Sequence, residues 1–179
     1  PSVALGRIDP TNNAFANSRR PLVGHFMLNG VPFFFINLHL NSKGGDDPLW
    51  GFSQPPALLT ESQRLEQVVV IWAFMQTILD CDPNANIIIG GDYNDFQFSA
   101  PVTDLISTTP SLSVMNTTLP AEERYSYNYQ GNAQALDHIS VSANIFENYA
   151  PVYDTVHINS EFADQVSDHD PSLIIITIP

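Results

Sequence analysis

The stretch LVGHFMLNGVPFFFINLH, residues 22–39, decides the fold. Two apolar segments, Leu22–Leu28 and Val31–Leu38, flank the dipeptide Asn29-Gly30. Asn-Gly accepts the positive φ angles of a tight turn, so the stretch predicts a β-hairpin. The second strand runs into a polar end at Asn37 and His39, and polar side chains at the end of a rigid strand are candidates for a functional site.

A long helix is predicted after a loop that covers residues 41–57. Thr60 and Gln63 form a capping box, in which the Gln63 side chain is expected to bind the Thr60 amide. The helix is expected to continue to about Asp80, with one apolar face turned to the core. That face consists of Leu65, Val68, Val69, Trp72, Met75 and Leu79.

The remaining sequence predicts more strands than helices. Apart from Asn86 itself, the segment Asn86–Ile89 is apolar, which is typical of a strand buried on both faces. A second, shorter helix is predicted over Ser99–Ser107, and residues 1–20 are expected to form an irregular lead-in. Further strands are predicted at Tyr125–Tyr129, Ala135–Val141, Tyr153–Ile158 and Leu173–Ile178. The predicted fold class is α/β of the α+β kind, with a mixed, mainly antiparallel sheet covered by one long and one short helix.

The composition is acidic and poor in charged residues. Nineteen acidic and six basic residues give the 179-residue chain a net charge of −13. Such a chain repels a polyanion at long range, so a phosphate-bearing ligand must meet a local basic cluster or a bound cation. The single cysteine, Cys81, excludes an internal disulfide and a multi-cysteine zinc site. No apolar run is long enough for a membrane span, and none is expected.

Four polar clusters each follow an apolar segment. They are Asn37-Leu-His39, Gly90-Gly-Asp92-Tyr-Asn94-Asp95, Leu136-Asp137-His138 and Ser167-Asp168-His169-Asp170-Pro171. A sheet can aim side chains from several strand ends at one point, so we expect the clusters to converge. Taken singly, each cluster is more often a turn or a helix cap than a site.

The residue types in these clusters favour attack of water on a phosphodiester. Carboxylate and amide oxygens are ligands for Mg²⁺, Mn²⁺ or Ca²⁺. A histidine beside a carboxylate can transfer protons near neutral pH. The competing Ser-His-Asp hydrolase lacks its Gly-x-Ser-x-Gly turn, and the glycine loops of Walker and dinucleotide-binding sites are absent as well.

In order, the motifs N-x-H, G-D-x-N, L-D-H and S-D-H-x-P closely resemble those of the endonuclease/exonuclease/phosphatase superfamily, which includes pancreatic deoxyribonuclease and the abasic-site endonucleases. The flanking segments are similar to the branch of secreted bacterial extracellular nucleases. They read GRIDPTNNAFANSRRPLVGHF, HLNSKGGDDPLWG, ERYSYNYQGNAQALDHI and VHINSEFADQVSDHDP. The resemblance covers essentially the whole chain from Gly6 onward. It implies an extracellular, Mg²⁺-dependent nuclease (or Mn²⁺, with Ca²⁺ as a further option) that acts on DNA or RNA.

The resemblance also implies a role for each motif residue. His39 would contact the scissile phosphate, Asp92 would orient or deprotonate the attacking water, and Asn94 would bind a phosphate oxygen. Asp137 would orient His169, which would act in proton transfer or polarise the phosphate. The implied catalytic residues are thus His39, Asp92, Asn94, Asp137 and His169. The implied metal ligands are Asp168, Asp92 and Asn94, and the substrate-binding candidates are Asn37, Lys43, Arg64 and Arg20.

Some of these charged residues also have a purely structural interpretation. Asp170 could cap the turn before Pro171 instead of serving the site. Asp46 and Asp47 could hold Ca²⁺ or only turn the chain. Each of the basic candidates could equally be a plain surface charge.

One departure from the family pattern leads to a further expectation. In the family, two similar halves pack face to face, and the first half supplies a glutamate that is the principal metal ligand. No glutamate precedes His39 in this sequence. Residues 1–179 are therefore expected to form the C-terminal half of the domain, which is half of a four-layer α/β sandwich. The metal site should then be incomplete and the chain alone a feeble catalyst, with an apolar sheet face covered by the missing N-terminal half or by another protein.

Two other functions stay open at this point. A phosphomonoesterase or a lipid phosphodiesterase could use the same scaffold, since a fold does not fix a substrate. The low number of basic residues favours such small substrates. A non-catalytic structural or interaction module in an extracellular assembly is the third possibility.

Overall fold

The computed structural model describes residues 3–107 and 112–178. Ten strands and three α-helices lie in these ranges. The strands are β1 (Val3–Arg7), β2 (Leu22–Leu28), β3 (Val31–His39), β4 (Asn86–Asp92), β5 (Leu112–Val114), β6 (Tyr127–Tyr129), β7 (Asn132–Gln134), β8 (Asp137–Ser142), β9 (Val152–Thr155) and β10 (Ser172–Ile175). The helices are α1 (Glu61–Cys81), α2 (Ala100–Ser107) and α3 (Ala143–Asn148).

Six of the strands form one sheet in the order β1-β2-β3-β4-β8-β5. All neighbours in this sheet are antiparallel except β3 and β4, which are parallel. The predicted hairpin is confirmed, because β2 and β3 pair across a turn in which Asn29 and Gly30 have φ angles of 50° and 81°. The mixed α+β class predicted from the sequence is therefore confirmed.

The register of three adjacent strands positions the polar clusters. The parallel pairing of β3 and β4 sets His39 opposite Asp92. The antiparallel pairing of β4 and β8 sets Asp92 opposite Asp137. The three motif residues are therefore neighbours in one row across the sheet, although 98 positions separate the first from the last.

Helices α1 and α2 cover one face of the sheet. Their apolar side chains pack on the sheet side chains Ile36, Leu38, Ile87 and Ile89, all of which are almost fully buried. The predicted helix face is partly wrong, because Val69 is exposed while Ile71 and Ile78 are buried. The predicted capping box is wrong as well. Gln63 donates hydrogen bonds to the carbonyls of Ala14 and Ala16, while the Thr60 amide donates to Asp46.

The opposite face of the sheet is covered in part by the chain itself. Strands β9 and β10 pair with each other as an antiparallel ribbon. The sheet residues on this face are Phe33, Ile88 and Val141. They are covered by Met115, by Ile145 of α3 and by Tyr153 of the β9–β10 ribbon. The apolar sheet face that was expected to need another protein as cover is therefore covered in part by the chain's own residues. Exposed apolar side chains lie instead on the outer side of the ribbon, and they are Val152, Leu173 and Ile175.

The expectation of an irregular lead-in over residues 1–20 is wrong. Strand β1 pairs with β2 along its whole length and forms one edge of the sheet. A 3-10 turn at Asn13–Phe15 then buries Phe15 in the helix-covered core. The sequence also gave no signal for β5, β7 or α3, which are short elements of three to six residues.

Arg64 is buried, which contradicts its prediction as a contact for substrate phosphates. Its side chain is fully enclosed, and the guanidinium donates to Asp95 at 2.7 Å and to Asp46 at 2.8 Å. The same group donates to the Thr60 hydroxyl at 2.5 Å. Asp46 in turn accepts the Thr60 amide at 2.7 Å. Arg64 therefore ties the loop between β3 and α1 to the loop that follows β4.

Replacing Arg64 by leucine should lower the free energy of unfolding by about 3–5 kcal/mol, because Asp46 and Asp95 would stay buried without their main cation. Urea denaturation followed by circular dichroism measures this change. Glu66→Gln, at an exposed position of the same helix, is the matched control and should change the value by less than about 0.5 kcal/mol. A loss as small as that of the control would show that the buried ion pairs contribute nothing to stability.

Candidate active site

A cleft of about 740 Å³ opens at the end of β3, β4 and β8. Six residues predicted from the motifs line it, namely His39, Asp92, Asn94, Asp137, Asp168 and His169. The prediction that the four motifs converge on one pocket is therefore confirmed. Their roles in catalysis remain predictions.

Asp137 and His169 form a hydrogen-bonded pair on one side of the cleft. The distance from His169 Nδ1 to Asp137 Oδ2 is 2.6 Å, within the range expected for the pair. This hydrogen bond raises the pKa of His169, and the charges of Asp137, Asp92 and Asp168 act in the same direction. His169 is therefore held with its Nδ1 proton directed at Asp137, which leaves Nε2 for other partners.

Ser126 supports this pair and was missed by the sequence analysis. Its hydroxyl donates to Asp137 Oδ2 at 2.6 Å, and the same oxygen atom accepts from His169. Its backbone carbonyl accepts the Asp170 amide at 2.7 Å, which fixes the residue next to His169. In the sequence, Ser126 lies inside the predicted strand Tyr125–Tyr129, and nothing there distinguishes it from other serines.

His39 and Asp92 face each other next to this pair, because Asp92 lies opposite Asp137 in the sheet. His39 Nε2 lies 3.3 Å from Asp92 Oδ2. Burial, and then the nearby charge of Asp137, raise the pKa of Asp92 to about 6. Burial and the charge of Arg19 lower the pKa of His39. The raised pKa of Asp92 brings its change of protonation state close to neutral pH, as proton transfer requires.

Asn94 is held in the turn after β4. It has a φ angle of 50°, a left-handed conformation that asparagine tolerates better than most residues. Its amide side chain donates to the Leu40 carbonyl and to Asp92 Oδ2, both at 3.1 Å, and its backbone N–H donates to Asp92 Oδ1 at 2.7 Å. Asn94 thus fixes the Asp92 carboxylate at the cleft.

Gly91, the second of the two glycines before Asp92, occupies a position that requires glycine. It has a φ angle of 138°, and a Cβ atom there would lie 2.0 Å from the Leu38 carbonyl oxygen. Only glycine permits this approach of β4 to β3, one residue before His39 meets Asp92.

Three of these residues could hold a divalent cation. Asp92, Asp137 and His169 each offer a ligand atom, and these atoms lie within 4.8 Å of one another. The two carboxylates are adjacent and partly buried, and a cation between them would relieve the repulsion that raises the pKa of Asp92. The donor set fits a hard cation such as Mg²⁺ or Mn²⁺, with other positions taken by water or by donors outside this set. Asp168 lines the cleft but is exposed and lies outside the cluster, so its role as a ligand stays a prediction.

The substrate-binding candidates are only partly brought to the cleft. Lys43 lines it, but its ammonium pairs with Asp95 at 3.1 Å and lies over the Phe96 ring. Asn37 is exposed on β3 and does not line the cleft. Arg20 binds the Pro10 carbonyl outside it, whereas its neighbour Arg19 lines it. Arg20, which was predicted, therefore lies outside the cleft, and the neighbouring Arg19 lies in it.

The acidic residues with two interpretations prove to be structural. Asp170 is buried, and its carboxylate accepts the backbone N–H groups of Ile158, Asn159 and Ser160. Although burial alone would raise the pKa of Asp170, these hydrogen bonds and the Ser160 hydroxyl lower it to about 2. Asp46 is committed to Arg64 and Thr60, and Asp47 accepts the Ala57 amide at 3.0 Å. Asp46 and Asp47 therefore shape the loop, and the Ca²⁺ alternative has no support.

Comparison with solved structures identifies the fold. The chain matches TDP2 from Caenorhabditis elegans over 99% of its own length, with 14% identity and a TM-score of 0.66. It matches a mannosyl-6-phosphatase from Bacteroides thetaiotaomicron over 99%, with 18% identity and a TM-score of 0.63. An endonuclease/exonuclease/phosphatase family protein from the same bacterium matches over 97%, with 18% identity and a TM-score of 0.62. The chain therefore has the endonuclease/exonuclease/phosphatase fold, as the four motifs predicted.

The chain spans 66% of the length of each of the first two structures and 63% of the third. No family model and no curated protein matches the sequence. In the described residues, no helix combines the length and the apolar character that crossing a membrane requires.

Binding of Mg²⁺ should raise the melting temperature of the chain by about 3 °C or more at about pH 7.5, and by much less at about pH 5. The sign follows from the raised pKa values of Asp92 and His169, since both bind protons as the pH falls and protons compete with the cation. Differential scanning fluorimetry at constant ionic strength measures the shift. Asp92→Asn should abolish it, while Asp104→Asn, at an exposed position on α2, should leave it unchanged. Equal shifts at both pH values would contradict a cation site at these residues.

Proposed function

We propose that this chain carries the site of a metal-dependent phosphodiesterase, and that it acts as an extracellular nuclease on DNA or RNA. The observation that carries the proposal is the pair of carboxylate–histidine contacts, Asp137–His169 and Asp92–His39, which lie next to each other in one cleft. A phosphodiester group in the cleft would meet both of these proton-transfer pairs. The endonuclease/exonuclease/phosphatase fold supports the same reaction class.

The cation is part of this proposal. Asp92 and Asp137 would hold Mg²⁺ or Mn²⁺, with Ca²⁺ as a further candidate, and the cation would neutralise charge on the phosphate oxygens. The need for it follows from the charge of the cleft. Five aspartates line the cleft against two basic residues, Arg19 and Lys43, so an anionic phosphate would otherwise be repelled.

The chain's own residues divide the remaining work. Asp92 lines the cleft and is placed to accept a proton from an attacking water once it is ionised. His169, whose Nδ1 is fixed by Asp137, presents Nε2 to the cleft and can polarise the phosphate or protonate the leaving oxygen. His39 and Arg19 line the cleft beside Asp92 and can contact phosphate oxygens.

Phosphomonoesterase activity is the second candidate. One similar structure is described as a mannosyl-6-phosphatase, and the cleft offers few basic groups for a long polyanion. The two substrate classes differ at the phosphate itself, because a diester carries a second ester group and one negative charge, whereas a monoester is mostly doubly charged near neutral pH. A lipid phosphodiester and a non-catalytic role in an assembly have no observation in their favour beyond the fold and the exposed outer side of the β9–β10 ribbon.

In an enzyme that contains both halves of the domain, His169→Ala should lower turnover by at least ~10²-fold, because it removes the group that meets the phosphate. Asp137→Asn should be similarly harmful, because the histidine loses its fixed orientation. Initial rates on an oligonucleotide with Mg²⁺ or Mn²⁺ in excess, with and without a chelator, measure both effects. His25→Gln is the matched control, since His25 stacks on Phe34 and does not line the cleft. Metal-independent cleavage, or near-normal rates in either variant, would contradict the proposal.

Comparison of bis(p-nitrophenyl) phosphate with p-nitrophenyl phosphate should separate the two candidate activities. A phosphodiesterase is expected to hydrolyse the diester faster, while a phosphomonoesterase should prefer the monoester. Activity on nucleic acid should fall steeply as salt increases, because salt weakens the contacts of Arg19 and the cation with phosphates. Faster hydrolysis of the monoester would favour the second candidate.

A further inference from the structure

A second groove, of about 330 Å³, adjoins the active-site cleft. The two share the side chains of Pro48, Leu49, Phe96, Tyr129 and Gln134 as common walls. A ligand with its phosphate in the cleft can therefore extend directly into the groove without leaving the protein surface. No step proposed for the cleft uses this groove.

The groove is built from aromatic rings that face solvent. Trp50 is 85% exposed, Phe98 is 63% exposed and Tyr129 is 44% exposed. Phe98 is fixed in place because it stacks on Phe96, with ring centres 5.2 Å apart and planes 12° apart. Large exposed rings in a concave surface indicate a binding site more often than a solvated surface.

A series of rings connects the groove with the catalytic pair. Tyr127 lies 4.7 Å from the His169 ring and is nearly parallel to Tyr129, 6.3 Å away. Tyr129 lines both the cleft and the groove. The groove is therefore separated from the residues proposed to contact a phosphate by the side chain of Tyr129 alone.

The charges and polar groups of the groove favour a neutral, flat ligand. Its charged residues are Glu122 and Arg124, which balance each other, and the Arg124 guanidinium donates to the carbonyls of Leu119 and Thr117. Gln97 and Gln134 add amide groups to the walls, and amides can pair with the polar edge of a ring. Arg124 is the only cation among the described residues that line the groove, and two carbonyls hold it in place. The groove therefore favours a heteroaromatic ring, which would find stacking surfaces and hydrogen-bonding groups, over a phosphate.

We propose that this groove is a subsite for an unpaired nucleobase, next to the phosphate that lies in the cleft. The neighbouring phosphate rests on the proposed function; the stacking subsite follows from the rings themselves. A base inside a duplex has its faces covered by its neighbours, so the subsite accepts single strands or frayed ends. Stacking also supplies affinity that an acidic protein cannot obtain from basic side chains.

Fluorescence anisotropy with two labelled probes tests the subsite. One probe is a short single-stranded thymidine oligonucleotide with phosphorothioate linkages, which resists cleavage. The other has the same backbone with abasic sites in place of every base. With Mg²⁺ present, the thymidine probe should bind at least about fivefold more tightly, because each stacked base adds affinity.

Trp50→Ala and Phe98→Ala should each weaken binding of the thymidine probe by about fivefold or more and leave the abasic probe unchanged. Phe52→Ala is the matched control, because Phe52 is a fully exposed ring in the same loop that does not line the groove. Equal affinity for the two probes, or equal loss of both probes in the variants, overturns the subsite. Absence of binding by the thymidine probe overturns it as well.

The outcomes also separate this inference from the proposed function. Base-dependent binding keeps the subsite, and it contradicts the phosphodiesterase if an enzyme that contains both halves of the domain fails to cleave the matching phosphodiester oligonucleotide. Cleavage without any preference for the base-bearing probe keeps the phosphodiesterase and contradicts the subsite.

Discussion

The parallel pairing of β3 with β4 is the constraint on which the site depends. Parallel neighbours cannot be joined by a tight turn, so the chain must cross over the sheet between His39 and Asn86. That crossover contains α1, which buries one face of the sheet, and the loop before α1, which forms one wall of the cleft. The same pairing places His39 beside Asp92. One strand register thus accounts for the core, the cleft wall and the contact between His39 and Asp92.

The charged groups around the cleft are arranged in two different ways. The wall is held by Arg64 between Asp46 and Asp95, where every buried charge has a partner of opposite sign. The floor holds Asp92 and Asp137, whose charges repel each other and are only partly offset by His39 and His169. A network in which every buried charge is paired therefore surrounds two carboxylates that repel each other. This arrangement is common at functional sites, where local strain is tolerated because the surroundings are rigid.

Much of this arrangement could be predicted from the sequence, because strong local signals agreed with the fold. Asn29-Gly30 determined the hairpin, and the position of the motifs at strand ends predicted their convergence. The errors arose where partners lie far apart in the chain. Arg64 looks like any helix-surface cation until Asp95, 31 positions later, is brought beside it. Gln63 could cap its own helix, but the carbonyls of residues 14 and 16 compete successfully for its amide.

Asp170 determines how the site should respond to acid. Its carboxylate holds the segment from His157 to Ser160, and the Asp170 backbone is bound to Ser126 beneath the catalytic pair. With a pKa of about 2, Asp170 stabilises the fold fully above about pH 4 and loses this contribution only as the pH falls toward 2. Asp92 takes up its proton near pH 6, well before that point. Mild acid should therefore switch the chemistry off while the supporting loops stay folded, so that acid inactivation is reversible on neutralisation.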